Sequence, residues 1–150
     1  MLDLDALRNA QDLAAQISAQ LENLLSCGVI TQAEYAAVPA RRIVRFFASS
    51  LGQRLLASDR VEREWAVTFR RTDGRGQAQL VQGVIDCCFM ERGQWILIDY
   101  KTDSAQDIAA VLEKHRPQVK IYAAALERIT GIKVRERMLY LVRAGSGYAV

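Results

Sequence analysis

The stretch GVIDCCFMERGQWILIDYK, residues 83–101, decides how the rest of the chain is read. It holds two apolar runs separated by Arg92-Gly93, a dipeptide suited to the two-residue loop of a hairpin. With that loop the cross-strand partners are set: Glu91 faces Gln94 and, further along, Asp86 faces Asp99. Directly opposed Cβ atoms lie about 4.5–5.5 Å apart. Asp99 and Lys101, two apart on one strand, project from one face. Two carboxylates at that spacing repel, and Val84, Cys88, Leu97 and Ile98 around them leave little water. A divalent cation removes the repulsion, because hard Mg²⁺ is held by one or two carboxylates together with waters and phosphate. The structural alternatives are a hydrogen-bonded strand aspartate at Asp86 and an exposed Asp99–Lys101 ion pair.

Upstream of this hairpin, Val61, Arg63, Trp65, Val67 and Phe69 alternate with more polar residues and predict a strand. Thr72-Asp-Gly-Arg-Gly76 is a turn leading to a second strand over 78–91, and the third runs over 94–101. Downstream, helices are expected over 105–115 and 117–129, the second opened by Pro117 and ended by Gly131, before a strand at 138–142. Before residue 61 the apolar period is about 3.6. Leu13, Ile17, Leu21, Leu24 and Leu25 predict a helix stopped at Gly28. Thr31-Gln-Ala-Glu34 is a capping box, Pro39 ends the helix it opens, and Gly52 breaks an amphipathic stretch from Ile43 to Leu56. The expected architecture is α/β: a mixed sheet flanked by helices, with a helical part over about 1–60 and an α/β core over 61–150, forming one domain.

Composition narrows the function classes. The chain has 150 residues, 51% of them hydrophobic and 25% charged, as in ordinary soluble domains. No apolar run approaches the ~18 residues of a transmembrane helix, and an acidic start replaces the basic one of a signal peptide, so a cytoplasmic location is expected. Cys27, Cys87 and Cys88 are in no CxxC spacing, against a disulfide framework or zinc ribbon. There is no GxxxxGK[ST] motif and hence no ATP site. Net charge is only +3, but residues 1–40 carry −4 and residues 41–75 carry +5. Sixteen of the 20 basic residues are Arg, the side chain that forks onto phosphate oxygens, although a solvated Arg-rich surface accounts for the charge equally well.

GVID, LIDYKTD and the downstream Gln118-x-x-x-Tyr122 resemble the core of the PD-(D/E)XK nucleases, and more narrowly the C-terminal nuclease domain of the AddA and RecB proteins of bacterial helicase–nucleases. The resemblance to the AddA type extends over ITQAEY, RFFASSLGQRLL, VEREWAVTF, RPQVKIYAAALERITG and MLYLV, nearly the whole chain. It implies a restriction-endonuclease-like fold and a metal-dependent DNase acting on single strands in double-strand-break repair. It further implies a helicase motor in the same polypeptide, a separate AddB-type partner protein, and no membrane. Asp86 and Asp99 would hold Mg²⁺, or Mn²⁺ in its place, with the Tyr100 backbone carbonyl completing the set. Lys101 would act on the attacking water and the charged phosphate. Gln118 and Tyr122, one helical turn apart, would contact the DNA strand. Glu64 matches an Arg-Glu motif and would be accessory or a structural ion-pair partner.

One feature departs from the resemblance. The family's metal-binding His, in a Gly-Thr-x-x-His setting upstream, has no counterpart here, and the single histidine, His115, lies well downstream. The expectation is a fragment whose motor and His helix precede Met1, with weak activity alone and a preference for Mn²⁺. The cysteines do not supply the iron–sulfur site of Cas4-like relatives, and Cys87 and Cys88 are expected to point to opposite faces as small apolar residues. Two other classes compete with this reading: a non-catalytic nuclease-fold module that guides DNA or docks protein, and a stand-alone endonuclease. Metal-dependent cleavage separates the first from an enzyme, and the length of the native gene separates the second.

Overall fold

The change of apolar period near residue 60 coincides with a division of the chain into two units, 1–57 and 58–150. The computed structural model describes residues 1–72, 76–103 and 107–150. The middle of the expected Thr72–Gly76 turn and the expected helix start at 105–106 lie outside the described residues.

The first unit is helical, and side-chain caps set its element boundaries. Helix α1 (Leu4–Arg8) is capped by Asp3 and α2 (Leu13–Ser26) by Asp12, each carboxylate accepting two backbone N–H bonds. Gly28, at φ +68°, takes the left-handed conformation just past α2. Helix α3 (Gln32–Ala37) opens with the full Thr31–Glu34 capping box, and Pro39 stands between it and α4 (Ala40–Ala48). Ile17, Leu21, Phe46, Phe47, Leu51 and Leu55 are buried. The expected break at Gly52 is not there. Instead α4 ends at Ser49, which caps α5 (Ser50–Leu56) by accepting from the Gly52 N–H.

Gly52 has a different role, close approach of backbones. A Cβ at this position would stand 2.1 Å from the Phe46 carbonyl oxygen and 2.6 Å from the Phe47 Cα. Gly→Ala inside a helix ordinarily stabilises by up to about 1 kcal/mol. Here the methyl meets backbone, which no rotamer change relieves, so Gly52→Ala is expected to destabilise by about 3 kcal/mol or more. Thermal unfolding checks this. A Tm at or above that of the parent would show that the two helices separate at little cost.

The second unit is a five-stranded sheet with one long helix. Strands β1 (Val61–Thr72), β2 (Ala78–Glu91) and β3 (Gln94–Lys101) form the expected antiparallel meander, followed by α6 (Ile108–Thr130), β4 (Val134–Leu141) and β5 (Ser146–Ala149). Strand order is β1-β2-β3-β4-β5, with β4 parallel to β3 and β5 antiparallel to β4. The parallel step follows from α6, which carries the chain back along the sheet. Trp95 to Asp99 on β3 are all buried. Val119, Ala123 and Leu126 of α6 close the core over Val67, Ile85, Leu97 and Leu139.

The structure departs from the expected elements in two places. The helices expected on either side of Pro117 are one helix, with Pro117 inside it. Proline removes one N–H bond and crowds the carbonyl four residues earlier, at a cost of about 3 kcal/mol. Apolar packing on both sides, by Val111 and Leu112 before Pro117 and Val119 and Ala123 after it, offsets that cost. The last expected strand begins at Val134 rather than 138, and β5 follows it without a counterpart in the sequence pattern. Strand β4 starts earlier because the end of α6 is tied to it: Gly131 adopts φ +71° and Glu127 Oε1 accepts from the Val134 N–H at 2.9 Å.

Candidate active site

The Arg92-Gly93 loop has positive φ at both residues, 53° and 77°, the conformation of a type I′ hairpin turn. The register it imposes is the expected one, from Glu91 opposite Gln94 to Cys87 opposite Ile98. There the β2–β3 ladder ends, while β2 continues along β1 and β3 along β4. Asp86 and Asp99 are the next residues on each strand. The Asp86 carboxylate spans the opening, its Oδ2 accepting from the Tyr100 N–H at 2.9 Å.

Asp99 is buried, at 1% exposure. Its Oδ2 lies 2.7 Å from Lys101 Nζ, and its Oδ1 is buried with no hydrogen-bond partner among the described residues. Burial pushes the Asp99 pKa up; the Lys101 ammonium opposes the shift, and the Asp86 charge adds to it. A carboxylate oxygen withdrawn from water and left unbonded costs free energy unless something binds it. The Asp86 carboxylate just past the last rung, close enough for its charge to raise the Asp99 pKa, and the buried free oxygen of Asp99 fit a hard divalent cation. Among the described residues no three His, Cys, Asp or Glu side chains gather to hold a metal ion by side chains alone.

The strand next to Asp86 is strained at Glu64. Rungs Arg63–Cys87 and Trp65–Ile85 bracket the Glu64–Asp86 position, and Glu64 has φ +51°. That conformation costs a non-glycine residue about 1–3 kcal/mol. It also resets the alternation. Ile85 and Cys88, three apart on β2, both join the core beneath α6, whereas an unbroken strand would point them opposite ways. The single alternation expected from Val61 to Phe69 is therefore interrupted at Glu64, whose side chain is exposed.

On α6, Gln118 Nε2 donates to the Tyr122 hydroxyl at 3.0 Å, so the helix brings these two together as expected. The Tyr122 ring rests on Gly83 of β2, three residues before Asp86; a Cβ there would stand 2.7 Å from Tyr122 Cε1. Cys87 and Cys88 are both buried, and burial pushes each thiol to about 12, which leaves them inert.

The family model of the PD-(D/E)XK nuclease superfamily matches residues 3–148. The chain belongs to that superfamily. Its fold is accordingly restriction-endonuclease-like, and the string Asp99-Tyr100-Lys101 within the matched span has the form (D/E)XK. Among curated relatives, an ATP-dependent helicase/nuclease protein of the AddA type from Lysinibacillus sphaericus is 37% identical over 139 residues, 87% of this chain and 11% of the relative. Its counterpart in Clostridium kluyveri is 37% identical over 137 residues, 84% of this chain and 11% of the relative. The Thermoanaerobacter sp. protein is 34% identical over 158 residues, 97% of this chain and 12% of the relative. The chain thus spans about an eighth or less of the length of these helicase/nuclease proteins. No described helix is long and apolar enough to cross a membrane.

His115 of this superfamily member has a partner that the sequence does not announce. Its Nε2 lies 3.3 Å from Asp103 Oδ2, and Lys114 Nζ lies 3.0 Å from Asp103 Oδ1. The Lys114 hydrogen bond holds the Asp103 carboxyl below its ordinary value. No local pattern signals the contact, because residues 103 and 115 belong to different elements.

The contact between Gly83 and Tyr122 is testable. Gly83→Ala should leave the fold in place, since the clash is with a side-chain tip, but displace the Tyr122 ring and break its bond to Gln118. The expected result is a stability within about 1 kcal/mol of the parent together with shifted nuclear magnetic resonance signals of the Tyr122 ring. Unchanged ring signals would show that the methyl group is accommodated without moving Tyr122.

Proposed function

We propose that this chain is the nuclease domain of an AddA-type helicase–nuclease and hydrolyses phosphodiester bonds of single-stranded DNA during double-strand-break repair. One observation carries the reading. At the point where β2 and β3 part, Asp86 Oδ2 accepts from the Tyr100 N–H, and the neighbouring Asp99 holds Oδ2 2.7 Å from Lys101 Nζ while its Oδ1 is buried without a hydrogen-bond partner among the described residues. In this reading Asp86, Asp99 and the Tyr100 carbonyl hold Mg²⁺ or Mn²⁺. Such a cation supplies a Lewis acid on a non-bridging oxygen and a hydroxide near neutral pH.

The chain's own residues do the rest. Lys101 places positive charge where the attacking water loses its proton and where the phosphate gains negative charge. Gln118 and Tyr122 position the strand, and Glu64 shapes the backbone beside Asp86. The small share of each helicase/nuclease relative that the chain covers supports a longer parent protein with a motor in cis; an AddB-type partner in trans and a cytoplasmic location belong to the same proposal.

The test is a titration of the 150-residue chain with Mg²⁺ and with Mn²⁺. Cleavage of an end-labelled single strand and Tm are followed together. Mn²⁺ is expected to raise Tm and support more cleavage than Mg²⁺, because it binds the same oxygen donors with less reluctance to shed water. If neither ion moves Tm nor supports cleavage, the non-catalytic module replaces this reading.

A further inference from the structure

Away from the carboxylates, β1 and α6 of the second unit enclose a groove of about 550 Å³. The α6 wall is built from Pro117, Lys120, Ile121, Ala124 and Arg128, positions that recur three and four apart and so form one stripe. Phe69 and Arg70 of β1 form the other wall. Three of the lining residues are cations and none is an acid. Phe69, Ile121, Ala124 and Pro117 supply an apolar floor between them. Arg128 Nη1 donates to the Arg70 carbonyl at 3.2 Å, tying helix to strand, so the groove exists before anything enters it.

The stripe runs alongside the pair already described. Pro117 directly precedes Gln118, and Ile121 directly precedes Tyr122. We infer that this groove is a track for single-stranded DNA, holding phosphates on Arg70, Lys120 and Arg128 and passing the strand to Gln118 and Tyr122. The inference rests on the nuclease reading and extends it to the substrate's path. A row of cations beside an apolar and aromatic surface is how proteins hold single strands without reading sequence. Among the described residues the lining offers no carboxylate side chain to repel the phosphates or to pair with a basic partner.

The experiment measures binding of a fluorescent single strand of about 20 nucleotides by anisotropy, in Ca²⁺ and across a salt series. It compares the parent chain, the double variant Arg70→Ala/Lys120→Ala, and Lys133→Ala as a control at a highly exposed site outside the groove. Each lost phosphate contact should lower the salt slope by about 0.7 for single strands, hence by about 1.4 for the double variant. Its Kd should rise about tenfold or more at moderate salt, while Lys133→Ala stays near the parent. If the parent binds and the double variant keeps its Kd and slope, the groove is not the track, and the nuclease reading stands. If the parent chain binds no single strand at any salt, both fall. If a poly-glutamate peptide binds in the groove and the single strand does not, the groove is a protein-docking site and the inference is overturned.

Discussion

Lys101→Ala is expected to lower the metal-supported cleavage rate by at least about 10²-fold while single-strand affinity in Ca²⁺ stays within a few-fold of the parent. The rate loss is the usual scale for removing a group that acts on a proton in flight or on developing charge. Binding survives because the lysine faces Asp99 at 2.7 Å rather than lining the α6 groove. A second readout separates this role from a structural ion pair. In the metal-free protein Lys101 is the cation beside a buried carboxylate, and its removal leaves that charge uncompensated. Breaking such a pair costs up to about 3–5 kcal/mol when fully buried, and less here because Lys101 keeps 18% of its side-chain surface exposed. Metal-free Tm should therefore fall, and Mn²⁺ should restore much of the loss by replacing the missing positive charge. A Lys101→Ala chain that cleaves at the parental rate would reduce Lys101 to an ion-pair partner.

What was legible in the sequence was what is local in it. The hairpin register follows from Arg92-Gly93 because a two-residue loop leaves no freedom in pairing, and Asp86 and Asp99 are the first residues past its last rung. The capping box at Thr31–Glu34 is likewise complete in four residues. The failures involve partners distant in sequence or cancelled preferences. Gly52 reads as a helix breaker, yet its requirement comes from the backbone of Phe46 and Phe47 pressed against it. Pro117 reads as a helix start, but apolar residues on both sides hold the helix through it. The left-handed Glu64 is invisible in a run of alternating residues, because glutamate carries no preference for positive φ. The Asp103–His115 contact and the basic groove join segments tens of residues apart or in different elements, so no periodicity reports them.

Asp99→Asn should abolish metal-supported cleavage and at the same time stabilise the metal-free fold at neutral pH. The sign follows from burial. The folded protein holds the Asp99 pKa above its ordinary carboxylate value, so the native state binds the proton more tightly than the unfolded chain does. Below the ordinary value both states are protonated and nothing is lost. As pH rises through the ordinary value toward the folded one, the parent loses stability, and above the folded value the loss is complete. Asparagine never ionises and escapes that loss, while its amide oxygen still faces Lys101. The gain in Tm over the parent should be largest at neutral pH and vanish at acid pH, with each kcal/mol worth about 2–4 °C in a chain of this size. Asp86→Asn should behave differently. Asp86 Oδ2 accepts from the Tyr100 N–H, which an amide oxygen can also do, so metal-free Tm should barely change while cleavage is lost. Adding Mn²⁺ completes the test: it should raise the parental Tm and fail to raise that of either variant. If both variants keep the parental metal-induced rise, Asp86 and Asp99 do not share a cation, and the buried oxygen of Asp99 needs another explanation.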